Sequence, residues 1–100
     1  MNEVQLKVDE LVSRFGGYWT PFEMLAAVVE ELGELADVLL RLEGPKGSAS
    51  QKELEMELGD VMFALACIAN SYDIDLIKAL EASIEKYKSR DGNRWKSSVT

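Results

Sequence analysis

The sequence predicts an all-α protein of four amphipathic helices, and three observations support this fold class. Apolar residues recur every three or four positions along most of the chain, short polar or glycine-containing breaks separate four such stretches, and no alternating run of β-branched residues occurs. With 100 residues, of which 47% are hydrophobic, the chain can form one domain with a modest core. We therefore expect a single domain, residues 1–100, that folds as a four-helix bundle-like protomer.

The first two helices have clear start and stop signals. Helix one is predicted over Glu3–Phe15, where apolar side chains follow a helical period, and the pair Gly16-Gly17 ends it. Helix two begins after Thr20, because a threonine N-cap, a proline at the first helical position and a glutamate at the third form a capping box. It is predicted to run to about Glu43, where a loop rich in glycine begins.

The third and fourth helices are predicted in the same way. Ser50 opens a second capping box, and the helix that follows it is predicted to end near Tyr72. Asp73 is predicted to cap helix four. The segment 91–93, Asp-Gly-Asn, favours an end of that helix around Arg90.

Helix two carries more apolar surface than one small protomer can bury, so we expect self-association into a dimer or a tetramer that extends the bundle. Gly33 and Gly59 lie inside helices, where glycine costs up to about 1 kcal/mol relative to alanine, and this predicts close packing around them. The main apolar stripe of helix two is Leu25, Val28, Leu32, Leu35 and Leu39, and the residues that widen it are Met24, Ala27, Val38 and Leu42.

Two acidic motifs lie inside the second and third helices, E-E-L-G-E at residues 30–34 and E-L-G-D at residues 57–60. Side chains three positions apart on a helix differ by only about 60° around its axis, so the paired acids of each motif project from one side. No lysine or arginine lies three or four residues from them, and their charge is therefore uncompensated within the helix. A single such pair usually belongs to a solvated surface, but two pairs on successive helices beside apolar stripes indicate a shared site. The four acids are Glu31, Glu34, Glu57 and Asp60.

These acids predict a site for a hard divalent cation. The chain has no histidine, which excludes imidazole ligands, histidine bases and nucleophile systems that depend on histidine. Oxygen ligands favour Mg²⁺, with Mn²⁺ as a substitute, over Zn²⁺. Ca²⁺ is disfavoured because the sequence has no counterpart of an EF-hand loop.

Charge and composition also bound the partners. The net charge of −7 argues against nucleic acid or an anionic membrane as a partner held by general electrostatics. The single cysteine, Cys67, lies in an apolar helical run and is more typical of packing than of chemistry. No leader sequence and no apolar run of membrane-spanning length is evident, so the sequence favours a cytoplasmic location.

The motif E-E-L-G-E-L-A-D, followed by E-L-G-D-V-M-F-A-L and then E-K-Y-K-S-R, resembles the MazG-type nucleoside triphosphate pyrophosphohydrolases over about residues 19–90. The resemblance implies an oligomeric helical bundle that binds Mg²⁺ and converts a (d)NTP and water into a (d)NMP and pyrophosphate. House-cleaning of the nucleotide pool is a physiological role that fits this reaction. The implied metal ligands are Glu31, Glu34, Glu57 and Asp60.

The same resemblance suggests catalytic and substrate-binding residues. Glu30 or Glu34 would orient the attacking water, and spacing alone does not separate a metal ligand from a base. From its own chemistry Trp19 would either stack on a base or pack at a subunit interface, and packing is the more usual role of such a tryptophan.

Further substrate contacts are expected on helix four. Lys86 and Arg90 are four residues apart on one helix face and are the candidate phosphate contacts. Ser83 occupies the position, four residues before Tyr87, at which relatives often carry an asparagine, and it is placed near the sugar or a phosphate.

A second class of function stays open. A non-catalytic, metal-stabilised helical dimer that acts as a binding or scaffold module would show the same apolar stripes and acidic clusters. The intact set of four carboxylates favours the enzyme. Pyrophosphate release from a panel of nucleoside triphosphates would distinguish the two.

Overall fold

The structure, a computed structural model, describes the backbone of residues 1–44 and 47–99 and the side chains of these residues as far as Asp91. The described residues form helices and connecting turns without a strand, so the predicted all-α class is confirmed. No described helix combines the length and apolarity needed to cross a membrane. The four helices are α1 (Glu3–Arg14), α2 (Pro21–Glu43), α3 (Gln51–Ser71) and α4 (Leu76–Val99).

The caps of α2 and α3 form largely as predicted. The backbone N–H of Glu23 donates to the Thr20 hydroxyl at 3.3 Å, and the Thr20 N–H donates to the Glu23 carboxylate at 3.1 Å, which completes the capping box. At α3 only half of the box forms: the Glu53 N–H donates to the Ser50 hydroxyl at 3.1 Å. The Glu53 carboxylate instead accepts from Arg41 of α2 at 3.1 Å, so the residue links two helices.

The predicted start and end of helix four are wrong. The cap is Asp75, whose carboxylate accepts from two N–H groups in the first turn of α4 at 3.0 and 3.1 Å. Asp73 lies in the preceding turn with φ at 54°. The helix does not end near Arg90 but continues to Val99, because one glycine inside a helix costs only about 1 kcal/mol and does not stop it.

Helices α2 and α3 form an antiparallel pair. At one end the Ser71 hydroxyl lies 3.4 Å from the Met24 sulfur, and at the other Arg41 pairs with Glu53. The acidic motifs therefore face each other midway along the pair. The buried apolar side chains of the two helices are Met24, Val28, Val38, Val61, Ala64, Ala66 and Ala69.

Helix α1 packs on α3 through a buried polar network. The side-chain amide of Gln5, which is 2% exposed, donates to the Asn70 side-chain oxygen and to the Ile74 carbonyl, both at 2.8 Å, and accepts from the Leu76 N–H at 2.8 Å. The side-chain amide of Asn70 in turn donates to the backbone carbonyl of Gln5 at 3.0 Å and to the Tyr18 hydroxyl at 2.9 Å. The network therefore fixes α1 and the start of α4 relative to the end of α3.

Much apolar surface stays open in the single chain. Three residues of the predicted main stripe of α2, Leu25, Leu32 and Leu39, are exposed. The side of α2 that is buried is the adjacent one, which carries Met24 and Val38. The predicted stripe thus spans two faces of the helix, of which only one packs against α3.

In the described part of the chain, helix α4 makes little contact with the other three helices. The apolar residues that recur along it, from Ile77 through Leu80 and Ile84 to Tyr87, are between 44% and 54% exposed. The radius of gyration is 16.6 Å, larger than the roughly 13 Å typical of a compact domain of this length. The protomer is open rather than closed around one core.

The close packing predicted around two glycines does not form within the chain. A Cβ atom placed on Gly33 or Gly59 would meet no described atom of another part of the chain within 4 Å. Alanine would fit at both positions in the isolated protomer.

Candidate active site

The two acidic motifs meet between α2 and α3. One carboxylate oxygen from each of Glu31, Glu57 and Asp60 lies within 4.8 Å of the other two. The three side chains differ in environment, since Glu57 is 7% exposed, Glu31 is half-buried and Asp60 is open to solvent. The structure therefore brings three of the four predicted ligands together.

The fourth predicted ligand, Glu34, lies at the edge of this cluster. Its side chain is exposed, and it lines the same cavity as Glu57, Asp60 and Glu30. It is close enough to Glu57 to raise the pKa of that carboxyl group by hydrogen bonding and by charge. Both residues predicted to orient water, Glu30 and Glu34, are thus beside the cluster.

The cluster holds unfavourable charge. Hydrogen bonding with Glu31, burial and the negative charges of Glu31 and Glu34 together raise the pKa of Glu57 to about 7. When both groups are ionised, one carboxylate oxygen of Glu31 and one of Glu57 are buried with no hydrogen-bond partner among the described residues. Within the described part of the chain, no lysine or arginine forms an ion pair with these acids.

A hard divalent cation fits this arrangement. The donor atoms are carboxylate oxygens, which Mg²⁺ and Mn²⁺ prefer, and a cation would give the two orphaned oxygens a partner. Its charge would also favour the ionised form of Glu57, against the hydrogen bond with Glu31, the burial and the neighbouring charges that raise the pKa of that group.

A cavity of about 580 Å³ adjoins the cluster on one side. Glu31 and Asp60 contribute to its wall, and the rest of the wall is largely apolar, with the aromatic rings of Tyr18, Trp19 and Phe63. A volume of this order suits a small organic ligand.

A more polar cavity of about 600 Å³ adjoins the cluster on the other side, where Glu34 and Glu57 meet the start of α3. It is also lined by Arg41, Lys52 and Ser50. Arg41 is paired with Asp37 and Glu53.

The predicted substrate contacts are divided between two places. Trp19 lines the apolar cavity and is 64% exposed. Lys86, Arg90 and Ser83 lie on α4, and none of them lines either described cavity. The cationic groups of Lys86 and Arg90 instead lie 4.8 and 4.9 Å from the centre of the Tyr87 ring.

The sequence analysis missed several lining residues. Phe63 lies three positions after Asp60 on the same side of α3, so helical spacing could have placed it in the site. Lys52 could have been placed in the first turn of α3, although nothing in the sequence aims it at the carboxylates. Tyr18 carries no pattern that distinguishes it from a packing residue.

Fold and site together define a helical protein with a carboxylate cluster that fits a hard cation and a ligand-sized cavity beside it. Residues 20–95 match the MazG nucleotide pyrophosphohydrolase domain, and the chain belongs to this family. The predicted family and the enzyme class, a hydrolase of nucleotide phosphoanhydrides, are confirmed.

Individual relatives agree with this assignment. The uncharacterized protein YpjD of Bacillus subtilis (strain 168) is 40% identical over 99 residues, which cover 95% of this chain and 89% of YpjD. The crystal structure of YpjD from Bacillus subtilis, described as a proposed pyrophosphatase, aligns with a TM-score of 0.72 at 41% identity, covering 91% of this chain and 95% of that one. The Bacillus-conserved MazG protein, a nucleotide pyrophosphohydrolase, aligns with a TM-score of 0.76 at 37% identity over 91% and 92% of the two chains.

Proposed function

We propose that the protein hydrolyses a nucleoside triphosphate to the monophosphate and pyrophosphate, using Mg²⁺, or Mn²⁺ as a substitute. The ligands would be Glu31, Glu34, Glu57 and Asp60. The observation that carries this proposal is a pair of buried carboxylate oxygens, one of Glu31 and one of Glu57, that in the ionised state have no partner among the described residues. Burying such atoms between helices without a partner costs free energy, unless a cation or a proton lies between them.

The two cavities suggest how the nucleotide lies. The apolar cavity would take the base and sugar, with Trp19 placed to stack on the base, and the triphosphate would cross the carboxylate cluster. The bound cation would supply charge neutralisation and activation of water. Glu34 or Glu30, both beside the cluster and open to solvent, would orient the water that attacks and accept its proton. The water oxygen would form a bond to one of the two phosphorus atoms that share the α–β bridging oxygen. The bond from that phosphorus to the bridging oxygen would break, which gives the monophosphate and pyrophosphate.

Self-association completes this proposal. The apolar residues along α4 and one face of α2 are exposed in the single chain, and an open protomer with such surface is expected to pair with copies of itself. In a dimer or a tetramer, α4 of one protomer would bring Lys86, Arg90 and Ser83 to the phosphates or the sugar bound by another. Lys86 and Arg90 would then balance the charge of the triphosphate on the side away from the carboxylates.

The physiological role would follow from base preference. A protein that hydrolyses damaged or modified triphosphates faster than the common ones would serve house-cleaning of the nucleotide pool. The net charge of −7 supports a small anionic substrate held by a cation, rather than nucleic acid or an anionic membrane, as the partner.

Pyrophosphate release from a panel of nucleoside triphosphates tests the proposal. We expect turnover with Mg²⁺ and a loss of at least about 100-fold in Glu34→Gln and Asp60→Asn, since even the outer neighbours of a metal contribute 10- to 100-fold. Glu55→Gln is a matched control, because Glu55 is an exposed acid of α3 that lines neither described cavity.

The alternative function makes a different prediction. A metal-stabilised scaffold would bind Mn²⁺ and lose that binding in Asp60→Asn, but it would release no pyrophosphate from any member of the panel. Metal-dependent release that survives in Glu34→Gln and Asp60→Asn would contradict the carboxylate site itself.

A further inference from the structure

One of the aromatic residues in the wall of the apolar cavity, Tyr18, has its hydroxyl held by hydrogen bonds with two different helices. The chain leaves α1 through Gly16 and Gly17, whose φ angles of 106° and 97° are rarely adopted by other residues. The Gly17 N–H donates to the Val12 carbonyl at 3.0 Å, which closes the turn. This reversal directs Tyr18 back toward α1, where its hydroxyl donates to the Asp9 carboxylate at 2.6 Å.

The Tyr18 hydroxyl is also held from α3. The side-chain amide of Asn70, which is 7% exposed, donates to it at 2.9 Å. Asn70 is itself fixed by its two hydrogen bonds with Gln5. Burial and the hydrogen bond with Asp9 raise the pKa of Tyr18 to about 12, so its hydroxyl remains a donor at any working pH.

Tyr18 also belongs to the wall of the cavity that adjoins the carboxylates. Tyr18 lines the cavity together with Glu31 and Asp60, whereas the neighbouring Trp19 is 64% exposed. Because Asp9 and Asn70 belong to different helices, the ring can shift only if one of the two hydrogen bonds breaks.

We propose that Tyr18 determines which bases the cavity accepts, and that Asp9 and Asn70 are positioning residues that act through its hydroxyl. This inference rests on the proposed function, in which the apolar cavity holds the base of the nucleotide. The ring already has a fixed position before the base binds. Binding therefore does not have to meet the entropy cost of ordering that side chain. The carboxylates are untouched by this arrangement, and the hydrolytic step should not depend on it.

Tyr18→Phe is the direct test, because it keeps the ring and removes both hydrogen bonds. We expect KM for the preferred nucleoside triphosphate to rise by about three- to tenfold, the range expected when one side chain must be ordered on binding. The differences in KM between nucleotides with different bases should become smaller. Both kcat and the affinity for inorganic tripolyphosphate, which has no base, should stay within roughly twofold of the parent values. Tyr72→Phe is the matched control, since Tyr72 is exposed at the end of α3 and lines neither described cavity.

Asp9 variants separate positioning from general damage. Asp9→Ala should reproduce the rise in KM, and Asp9→Asn should restore the parent value because its amide oxygen can still accept from the tyrosine hydroxyl. Circular dichroism and Mn²⁺ titration establish that the fold and the metal site of each variant match the parent.

Two results would overturn the inference. One is a Tyr18→Phe protein with the KM values and base preference of the parent, and the other is an Asp9→Asn protein as impaired as Asp9→Ala. Calorimetric titration with α,β-imido nucleoside triphosphates distinguishes a failure of the proposed reaction from a failure of the inference about Tyr18. A parent that binds these analogues in a Tyr18-dependent way but releases no pyrophosphate contradicts the reaction alone, and a parent that binds none of them contradicts both.

Discussion

The buried amide of Gln5 should be one of the costliest side chains to replace in this protein. Gln5→Leu keeps a similar volume but removes the partner of the Asn70 side-chain oxygen, the Ile74 carbonyl and the Leu76 N–H. The Asn70 side-chain oxygen is buried, and leaving such a group unpaired costs about 1–3 kcal/mol. The Ile74 carbonyl and the Leu76 N–H can be partly rehydrated, so losing their hydrogen bonds costs about 0.5–1.5 kcal/mol each. We therefore expect the free energy of unfolding to fall by about 2–6 kcal/mol, a large fraction of the total for a small domain.

Urea denaturation at one fixed protein concentration measures this loss, because the stability of a self-associating protein depends on concentration. Gln51→Leu is the same chemical change at an exposed position in the first turn of α3, and we expect it to alter stability by less than about 0.5 kcal/mol. A loss below about 1 kcal/mol in Gln5→Leu would show that the network does not hold α1 on α3, and the fixed position of Tyr18 would lose its support.

Three further outcomes are expected. In chelator and between about pH 4.5 and 7, the folded state retains a proton on Glu57 that the unfolded state releases, because the pKa of this group is raised. Stability should therefore fall as the pH rises through this range, and thermal melts of Glu57→Gln should show a weaker dependence on pH. Leu80→Asp should dissociate the oligomer in light scattering whereas Ala82→Asp, on the opposite side of α4, should not; a parent that is a stable, folded monomer at micromolar concentration would contradict self-association. Lys86→Gln should raise KM for triphosphates by about tenfold, the effect of losing one charged hydrogen bond, and Lys78→Gln should leave KM unchanged; equal effects of the two would remove Lys86 from the substrate site.

The sequence was most informative where local chemistry decides the structure. The capping box at Thr20 depends only on neighbouring residues, and it forms as predicted. The spacing within each acidic motif fixes which side of the helix its acids occupy, and the amphipathic period then directs both motifs toward the α2–α3 contact. The convergence of Glu31, Glu57 and Asp60 was therefore predictable without the structure.

Features that depend on distant partners were not predictable in this way. The roles of Gln5 and Asn70 follow from a contact across 65 residues, and neither residue carries a periodic signal. The choice between Asp73 and Asp75 as the cap of α4 depends on how the preceding turn closes onto the network around Gln5. The position of α4 relative to the carboxylates depends on surfaces that other copies of the chain would cover, so Lys86, for example, could be placed on a helix face but not against its ligand.

The central claim is that clustered carboxylates hold a cation for attack on a nucleoside triphosphate, and ³¹P NMR of the products with and without the metal tests it most directly. With Mg²⁺ or Mn²⁺, we predict that the triphosphate signals are replaced by those of the monophosphate and inorganic pyrophosphate, and that excess chelator stops the reaction. Formation of a diphosphate with orthophosphate, or undiminished turnover in chelator, would contradict it.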